Sequence, residues 1–269
     1  MNTTTRYIGM IILLIPTLYS ISQSNKKPIL FPGSKKTAIC LTYDDGMYTH
    51  LSNAIPQLNQ AGFKGTFYIN SANGQTNVAG WMHAAIEGHE LGNHSVFHPC
   101  PAGMGWPKEL VTDGYTVEKI LNEIKVTDGI LRLLDPVKSY RTYAYPCNNV
   151  FVGGKSYIEP LKKSKLVKYA RGGGSQDKAI VMDYHNIDLM HVPSFIVNED
   201  SEADKLIAVA EKVKLSGGLL VFQFHGIGGQ WIKVSNETHI AFLNYLKANE
   251  KDIWVAPFKE VIQFIDKNR

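Results

Sequence analysis

Two successive aspartates at the end of an apolar run are the first feature of this sequence with chemical potential. The run covers 38–43, and Asp44, Asp45 and Gly46 follow it directly. Adjacent carboxylates resist ionising together unless a cation lies nearby. Asp and Gly are also ordinary turn residues, so the pair alone is ambiguous between a cation site and a polar turn.

A pair of histidines further along the chain supplies complementary ligands. His94 and His98 enclose Ser-Val-Phe, and Pro99 follows them. One carboxylate and two imidazoles form a plausible ligand set for a divalent metal, and they leave positions open on the ion where water becomes a nucleophile. A second, unligated carboxylate can take a proton from that water. The two clusters together predict a metal-dependent hydrolase.

Strand-like and helix-like stretches alternate from Thr37 onwards. Apolar runs predict strands over 37–43, 65–70, 89–93, 139–145, 166–171, 191–197, 218–224 and 252–255. Apolar residues at three-to-four spacing predict helices over 50–61, 77–88, 107–133, 154–164, 201–215, 236–249 and 257–267. This alternation favours a parallel sheet covered by helices.

The chemically interesting residues follow the carboxyl ends of these predicted strands. They are Asp44, Asp45, His94, Cys147 and His225. A barrel gathers all such ends around one mouth, whereas a doubly wound sheet gathers only those near its switch point. We therefore predict a single α/β domain closed into a barrel, and 269 residues are enough for its core.

The N-terminus carries the pattern of an export signal. A positive charge precedes an apolar stretch over 7–18, and Ser20 and Ser22 place small residues where a signal peptidase reads. The stretch is short for a membrane span. We predict a signal peptide over 1–22, a lead-in over 23–36 and an exported protein, secreted or periplasmic, without stable membrane insertion. A retained N-terminal anchor is the alternative.

Export permits disulfides, and the chain has three cysteines. Cys40 lies in a predicted buried strand and is expected to be a packed thiol. Cys100 and Cys147 both lie beside the proposed site loops. A bridge between them is one hypothesis, and two free thiols are the other.

The charge distribution argues against a nucleic-acid partner. The net charge is +4, both signs are spread along the sequence and no basic tract stands out. The sequence leaves the oligomeric state open.

The two polar clusters resemble the first two motifs of the polysaccharide deacetylases, carbohydrate esterase family 4. Thr-Tyr-Asp-Asp-Gly over 42–46 is similar to that family's Thr-Phe-Asp-Asp-Gly, and His-Ser-Val-Phe-His over 94–98 matches its His-Ser/Thr-x-x-His. The resemblance implies a deformed (β/α)7-type barrel as one catalytic domain over 37–269. It also implies hydrolysis of N- or O-linked acetyl groups on a glycan substrate.

By position, the resemblance implies a role for each residue of the motifs. Asp44 would be the general base, and Asp45 would bind the metal together with His94 and His98. The metal is typically zinc, with cobalt or another divalent ion as a substitute. His225, after an apolar strand, would be the general acid.

The third motif of the family is matched imperfectly by Tyr145, Pro146 and Cys147. The resemblance implies that the Cys147 backbone N–H would donate to the oxyanion, and that Tyr145 and Pro146 would contact the substrate. Ala144 occupies the position of the arginine that braces the catalytic aspartate.

Two arginines are candidates to replace that brace. Arg171 is the last residue of the predicted strand over 166–171. Arg141 lies three residues before the missing position, and an odd offset along a strand turns a side chain to the opposite face. A surface or structural role for either arginine is the remaining alternative.

Further departures indicate a divergent branch of the family. Asp188 is a potential match to the fourth motif, where it would orient His225, but no tryptophan stands beside it. Gln223 replaces the usual leucine two positions before the last histidine. These changes bear on the substrate more than on the reaction.

Aromatic side chains near the expected mouth are candidates to stack on sugar rings, with Trp231 the principal one. The others are Tyr48, Trp106 and Tyr143. Two rival functions remain: a non-catalytic glycan-binding protein of the same fold, and a metallohydrolase of a small non-sugar amide.

Overall fold

The computed structural model describes residues 29–71, 77–136, 140–174 and 176–269. The predicted signal peptide over 1–22 lies outside these residues. Among the residues described, no helix combines the length and the apolar character needed to cross a membrane.

Strands and helices alternate as predicted. The strands of the described residues are β1 Thr37–Asp44, β2 Thr66–Ile69, β3 Glu90–Asn93, β4 Arg141–Ala144, β5 Phe151–Val152, β6 Lys155–Ser156, β7 Val167–Arg171, β8 Ile180–Val181, β9 Phe195–Ile196, β10 Gly218–Phe224 and β11 Ile253–Val255. The helices are α1 Ile55–Ala61, which continues a π-helical turn over His50–Ala54, α2 Val78–Ile86, α3 Val117–Leu134, α4 Ile158–Ser164, α5 Ala203–Ser216, α6 Asn236–Ala248 and α7 Phe258–Asn268.

The main sheet is parallel along the order β7-β4-β3-β2-β1-β10. β9 continues the parallel pairing beside β10, and β11 pairs in parallel with the first residues of β1. Only β8 pairs antiparallel to this sheet within the described residues. The carboxyl ends of the parallel strands therefore lie at one end of the sheet.

The segment 189–197 joins the two edges of the curled sheet. On the β7 side, the Val192 amide donates to the Ala170 carbonyl at 2.9 Å. On the β10 side, the Val197 amide donates to the Gln223 carbonyl at 3.0 Å. A curled parallel sheet covered by the seven α-helices of the described residues confirms the predicted deformed (β/α)7-type, single-domain fold.

Residue alternation along the strands sorts the interior into an apolar base and a polar mouth. Ala38 and Cys40 share a face of β1 with Asp44, because side chains two apart point the same way. The base is filled by these small residues and by one apolar stripe of α7. The stripe consists of Phe258, Val261, Ile262 and Ile265, all buried.

The helix predicted over 107–133 begins later than expected. The structure starts α3 at Val117, after two 3-10 turns at Lys108–Leu110 and Thr112–Gly114. The Thr116 side chain accepts a hydrogen bond from the Lys119 amide at 3.1 Å, so this residue caps the helix. The apolar spacing over 107–133 predicted one long helix, but the Thr116 cap shows that the helix begins only after this residue.

The helix predicted over 154–164 also begins later, at Ile158. A small hairpin of β5 and β6 precedes it. Gly153 and Gly154 turn that hairpin with φ of 52° and 72°, a conformation in which glycine carries no steric penalty.

Packing of the domain begins before Thr37, within the segment predicted as a lead-in. Ile29 and Phe31 are buried. The Phe31 ring lies 5.5 Å from the ring of Tyr184 and 5.7 Å from that of Trp254. The described part of the lead-in therefore belongs to the core.

Candidate metal centre and active site

The adjacent aspartates both face the mouth because the backbone changes conformation between them. Asp44 is the last residue of β1, and Asp45 follows it with φ of 78°. A continued strand would send the two side chains to opposite faces. The left-handed conformation, which aspartate tolerates better than most residues, turns Asp45 back toward the site. Both carboxylates are buried.

Asp45, His94 and His98 converge on one point. Their ligand atoms lie within 4.8 Å of one another. Asp45 Oδ1 is 3.4 Å from His98 Nε2 and 3.7 Å from His94 Nε2. Three ligands from the loops after β1 and β3, the strands on either side of β2, are one carboxylate and two imidazoles, the donor set of a zinc-type site.

The hydrogen bond of His94 supports the same interpretation. Its Nδ1 lies 2.8 Å from the Ala144 carbonyl oxygen, so this nitrogen donates and Nε2 carries the lone pair. Nε2 is buried and has no hydrogen-bond partner. A buried lone pair without a partner beside a carboxylate is explained by a bound cation. The residues present therefore fit a divalent metal ion.

The electrostatics keep these groups in their ligand forms. Burial alone would raise the pKa of Asp45, but His98 and His94 outweigh it and lower the pKa to about 2. Burial lowers the pKa of His94 to about 4. At neutral pH the site therefore offers an anionic carboxylate and a neutral His94.

Asp44 lies beside this trio, and two donors hold one of its oxygens. Asp44 Oδ2 accepts from Arg171 Nη2 at 2.6 Å and from Gln223 Nε2 at 3.0 Å. Oδ1 is buried without a hydrogen-bond partner. Burial raises the pKa of Asp44, but the charge of the Arg171 guanidinium is the largest opposing cause and the net shift is downward. The result is an ionised carboxylate with one oxygen available to a proton.

The two candidate arginines have different surroundings. Arg171, at the end of β7, is fully buried and contacts Asp44. Arg141, at the start of β4, instead forms an ion pair with Asp135 and donates to the Leu131 carbonyl at 3.1 Å. The structure thus brings Arg171, and not Arg141, to the aspartate.

His225 follows β10, and its backbone is fixed by another histidine. Its carbonyl oxygen lies 2.9 Å from His50 Nε2. Its own Nδ1 is buried without a partner. Asp188 Oδ1 instead accepts from the Met190 amide at 2.9 Å. The expected contact between Asp188 and His225 is therefore absent from the described residues.

A disulfide joins the turn Pro146–Asn148 to the loop that carries His98. Cys147 is bonded to Cys100, with their Cα atoms 5.6 Å apart. The bridge therefore ties this turn to the residues just after His98. Both sulfurs are consumed by the bond, so the nearby grouping of His98 with the two cysteines is not a second metal site. Cys40 is a buried free thiol.

Three predicted substrate contacts are corrected by burial. Tyr145 is fully buried, and its hydroxyl donates to the Met190 carbonyl at 2.8 Å. Tyr143 is also buried, with its hydroxyl 3.3 Å from that of Tyr157. The Pro146 side chain is buried at the start of its turn. Their positions next to the motif suggested exposure, but all three side chains pack inward.

Trp231 and Trp106 line a cavity of about 510 Å³ beside Asp45 and His98, whereas the exposed Tyr48 does not line it. Trp231 and Trp106 are 47% and 37% exposed. Phe97, which no sequence pattern predicted to contact substrate, also lines the cavity and is 48% exposed. The Trp231 indole Nε1 donates to Asp45 Oδ2 at 3.1 Å. Trp231 is therefore both a wall of the cavity and a partner of the metal-site carboxylate.

Backbone strain is concentrated around this mouth. Non-glycine residues with positive φ occur in the loops that carry the site, and each costs conformational energy. They are Asp45, Ser95, His98, Cys147, Asn148, Gln230 and Ile232. Strain of this kind persists where the surrounding structure fixes it, as at pre-organised sites.

Comparison with known families agrees with this geometry. A sequence model described as polysaccharide deacetylase matches residues 32–150. No curated protein gave a significant match. The matched residues include both motif clusters, so the family match confirms the resemblance that they predicted.

Solved structures share the fold at low sequence identity. The peptidoglycan N-acetylglucosamine deacetylase Bc1960 is 18% identical, with a TM-score of 0.57 over 86% of this chain and 90% of that one. The Xyl-CE4 domain of a multidomain xylanase from the hindgut metagenome of Trinervitermes trinervoides is 17% identical, with a TM-score of 0.51 over 84% and 90%. A mutant of BA3943, a CE4-family pseudoenzyme, is 14% identical, with a TM-score of 0.53 over 88% and 72%.

Proposed function

We propose that this divergent relative of the polysaccharide deacetylases is an exported, metal-dependent enzyme that removes acetyl groups from a carbohydrate. The observation that carries the proposal is the division of labour between adjacent aspartates. Asp45 converges with His94 and His98, whereas Asp44 is held by Arg171 and keeps one oxygen free. A non-catalytic binding protein has no need for that free, ionised oxygen.

Asp45, His94 and His98 would hold zinc, or another divalent ion such as cobalt. When bound, such an ion supplies Lewis-acid polarisation of a carbonyl and lowers the pKa of water. The Ala144 carbonyl orients His94, and the Trp231 indole orients Asp45. Such outer contacts fix the direction of metal ligands and tune their basicity.

The chain's own residues would then move the protons of the hydrolysis. Asp44 accepts a proton from the attacking water at Oδ1, the oxygen without a partner. The Cys147 backbone N–H is the proposed donor to the oxyanion that forms as water adds to the acetyl carbon. His225 protonates the leaving nitrogen or oxygen as its bond to that carbon breaks, and acetate is released.

The walls of the cavity support a sugar substrate. Phe97, Trp106 and Trp231 present partly exposed rings beside the metal-site trio. Flat aromatic faces at the rim of a site suit the apolar faces of sugar rings. Both N-acetyl and O-acetyl groups fit the scheme, because only the leaving atom differs between them.

Acetate release by the mature, zinc-loaded protein tests the proposal. Acetylated xylan and N-acetylglucosamine oligomers would be assayed in parallel, each with a chelator-treated sample and with zinc added back. Release from one substrate that is lost with the chelator and restored by zinc would support the function. Absence of release from both by protein that binds zinc would contradict it.

A further inference from the structure

Gln223 is a buried amide on an otherwise apolar face of β10. Leu219 and Val221 point to the same face, because side chains two apart on a strand share it. Gln223 is only 4% exposed. Burying an amide costs free energy unless its polar atoms are satisfied, so its partners explain why it is tolerated there.

Both polar atoms of this side chain have buried partners. Nε2 donates to Asp44 Oδ2 at 3.0 Å, and Oε1 lies 3.0 Å from Ser194 Oγ, whose one hydroxyl proton also faces the Gly172 carbonyl oxygen at 2.8 Å. The orientation of the amide follows from chemistry, since only its nitrogen can donate to an ionised carboxylate. Ser194 is itself fully buried, on the segment that joins the edges of the sheet.

The contact between Gln223 and Asp44 matters because Arg171 alone leaves the Asp44 carboxylate free to rotate. The guanidinium reaches the carboxylate through Nη2 only, and its Nη1 is directed to Ser194 Oγ at 3.4 Å. A carboxylate held by one donor can still rotate about that contact. A second donor on the same oxygen, from a different strand, removes the rotation and fixes the direction of Oδ1.

We propose that Gln223, held in turn by Ser194, is a positioning residue that fixes the plane of the Asp44 carboxylate. The proposal rests on the proposed function, in which Asp44 Oδ1 accepts a proton. It assigns a purpose to the position where the sequence departs from the leucine of the resembling family. In this chain, donors from β7 and β10 together aim the catalytic carboxylate.

The test is the Gln223→Met variant, which keeps the shape of the side chain and removes its donor. We expect kcat for acetate release to fall about 10- to 100-fold, the effect of one lost hydrogen bond to a charged group. KM should change by less than about twofold, since the substrate does not contact Gln223. Zinc stoichiometry should stay at the wild-type value because the metal-site trio is untouched.

Gln57→Met is the matched control. Gln57 is a partly buried glutamine on α1 that donates to Asn236 Oδ1 at 2.7 Å and lies 2.6 Å from His239 Nδ1. The same chemical change there should leave kcat within about twofold. An unchanged kcat in Gln223→Met would overturn the proposal, as would an equal loss of kcat in both variants.

Two further measurements keep the proposal testable. If Gln223→Met does not fold, Ser194→Ala takes its place: kcat falls several-fold at unchanged KM, and an unchanged kcat overturns the proposal. If the wild type releases no acetate, the proposed function fails separately. A crystal structure of zinc-loaded Gln223→Met then decides, since a rotated Asp44 carboxylate supports the positioning role and an unmoved one overturns it.

Discussion

The Arg171 guanidinium lies 2.6 Å from the Asp44 carboxylate, although 127 residues separate the two in the sequence. Asp44 ends β1 and Arg171 ends β7, with β2, β3 and β4 between them in the sheet. The two side chains meet only because the sheet curls. The geometry of the proposed active site therefore depends on the curling of the sheet.

Replacing Arg171 by methionine should strongly lower kcat. Asp44 would remain buried without its cation, so its pKa would rise and the carboxylate would lose its orientation. We expect kcat to fall roughly 100-fold or more. Arg141→Met is the control, because it breaks the ion pair with Asp135 at the start of β4, whereas Asp44 stands at the end of β1. That variant should lower the melting temperature while folded protein keeps near-wild-type kcat; equal loss of kcat in both would contradict the assignment.

Trp231→Phe separates the two roles of the tryptophan. Phenylalanine keeps an aromatic wall but cannot donate to Asp45 Oδ2. We expect zinc affinity to fall about 10-fold, the lower end of the range for lost outer contacts to metal ligands. Competition with a zinc-binding dye measures it. Trp106→Phe serves as control and should keep wild-type affinity; a matching loss there would show that the indole N–H of Trp231 is unimportant.

The disulfide determines how many thiols should react before and after reduction. Cys100 and Cys147 are bonded and Cys40 is free but buried. Native protein should show no reactive thiol, denatured protein one, and denatured and reduced protein three. Three thiols before reduction would mean that the bridge is absent. A Cys100→Ser/Cys147→Ser variant should be about 2–4 kcal/mol less stable, the typical contribution of one disulfide.

Buried histidines make stability fall at mildly acidic pH. Burial lowers the pKa of His239 to about 3 and the pKa of His50 and His89 to about 4. In the unfolded chain these groups titrate near pH 6.5, so below that pH the unfolded state binds more protons. The free energy of unfolding is therefore highest above pH 6.5, where these histidines are neutral in both states. Between pH 7 and pH 5 it falls by about 2 kcal/mol for each histidine.

Urea unfolding of metal-free protein at pH 7 and pH 5 checks this prediction. His239→Gln should be less stable at pH 7, because it loses the contact with the Tyr43 hydroxyl at 2.8 Å. It should nevertheless lose less stability than the wild type between the two pH values. His83→Gln, on the exposed surface of α2, should retain the wild-type difference. A His239→Gln variant with the full wild-type pH dependence would exclude His239 as a source.

The sequence supported prediction of the sheet and the two motif clusters because each rests on local information. Asp44 and Asp45 follow an apolar run, and strand ends in an alternating α/β chain meet at one mouth. The offset rule along β4 also argued against Arg141. The sequence favoured Arg171 over Arg141 as the brace of Asp44, and the contact agrees with that preference. The geometry of the contact could not be predicted, because it depends on how far the sheet curls.

Burial was the property that local patterns predicted least well. Tyr143 and Tyr145 stand next to a proposed motif, yet both rings pack inward. Gln223 carried a signal, as a polar residue in an apolar strand, but its partner lies on another strand. The role of Trp231 toward Asp45 depends on the course of the loop after His225, which no periodicity specifies.

In the proposed mechanism, Asp44 accepts a proton from the attacking water, while Asp45, His94 and His98 hold the metal. Zinc content and acetate release measured together on Asp44→Asn and His94→Ala test it most directly. We expect Asp44→Asn to retain wild-type zinc but to lose about 100-fold or more in kcat, and His94→Ala to lose both zinc and turnover. Wild-type turnover by zinc-loaded Asp44→Asn would contradict it.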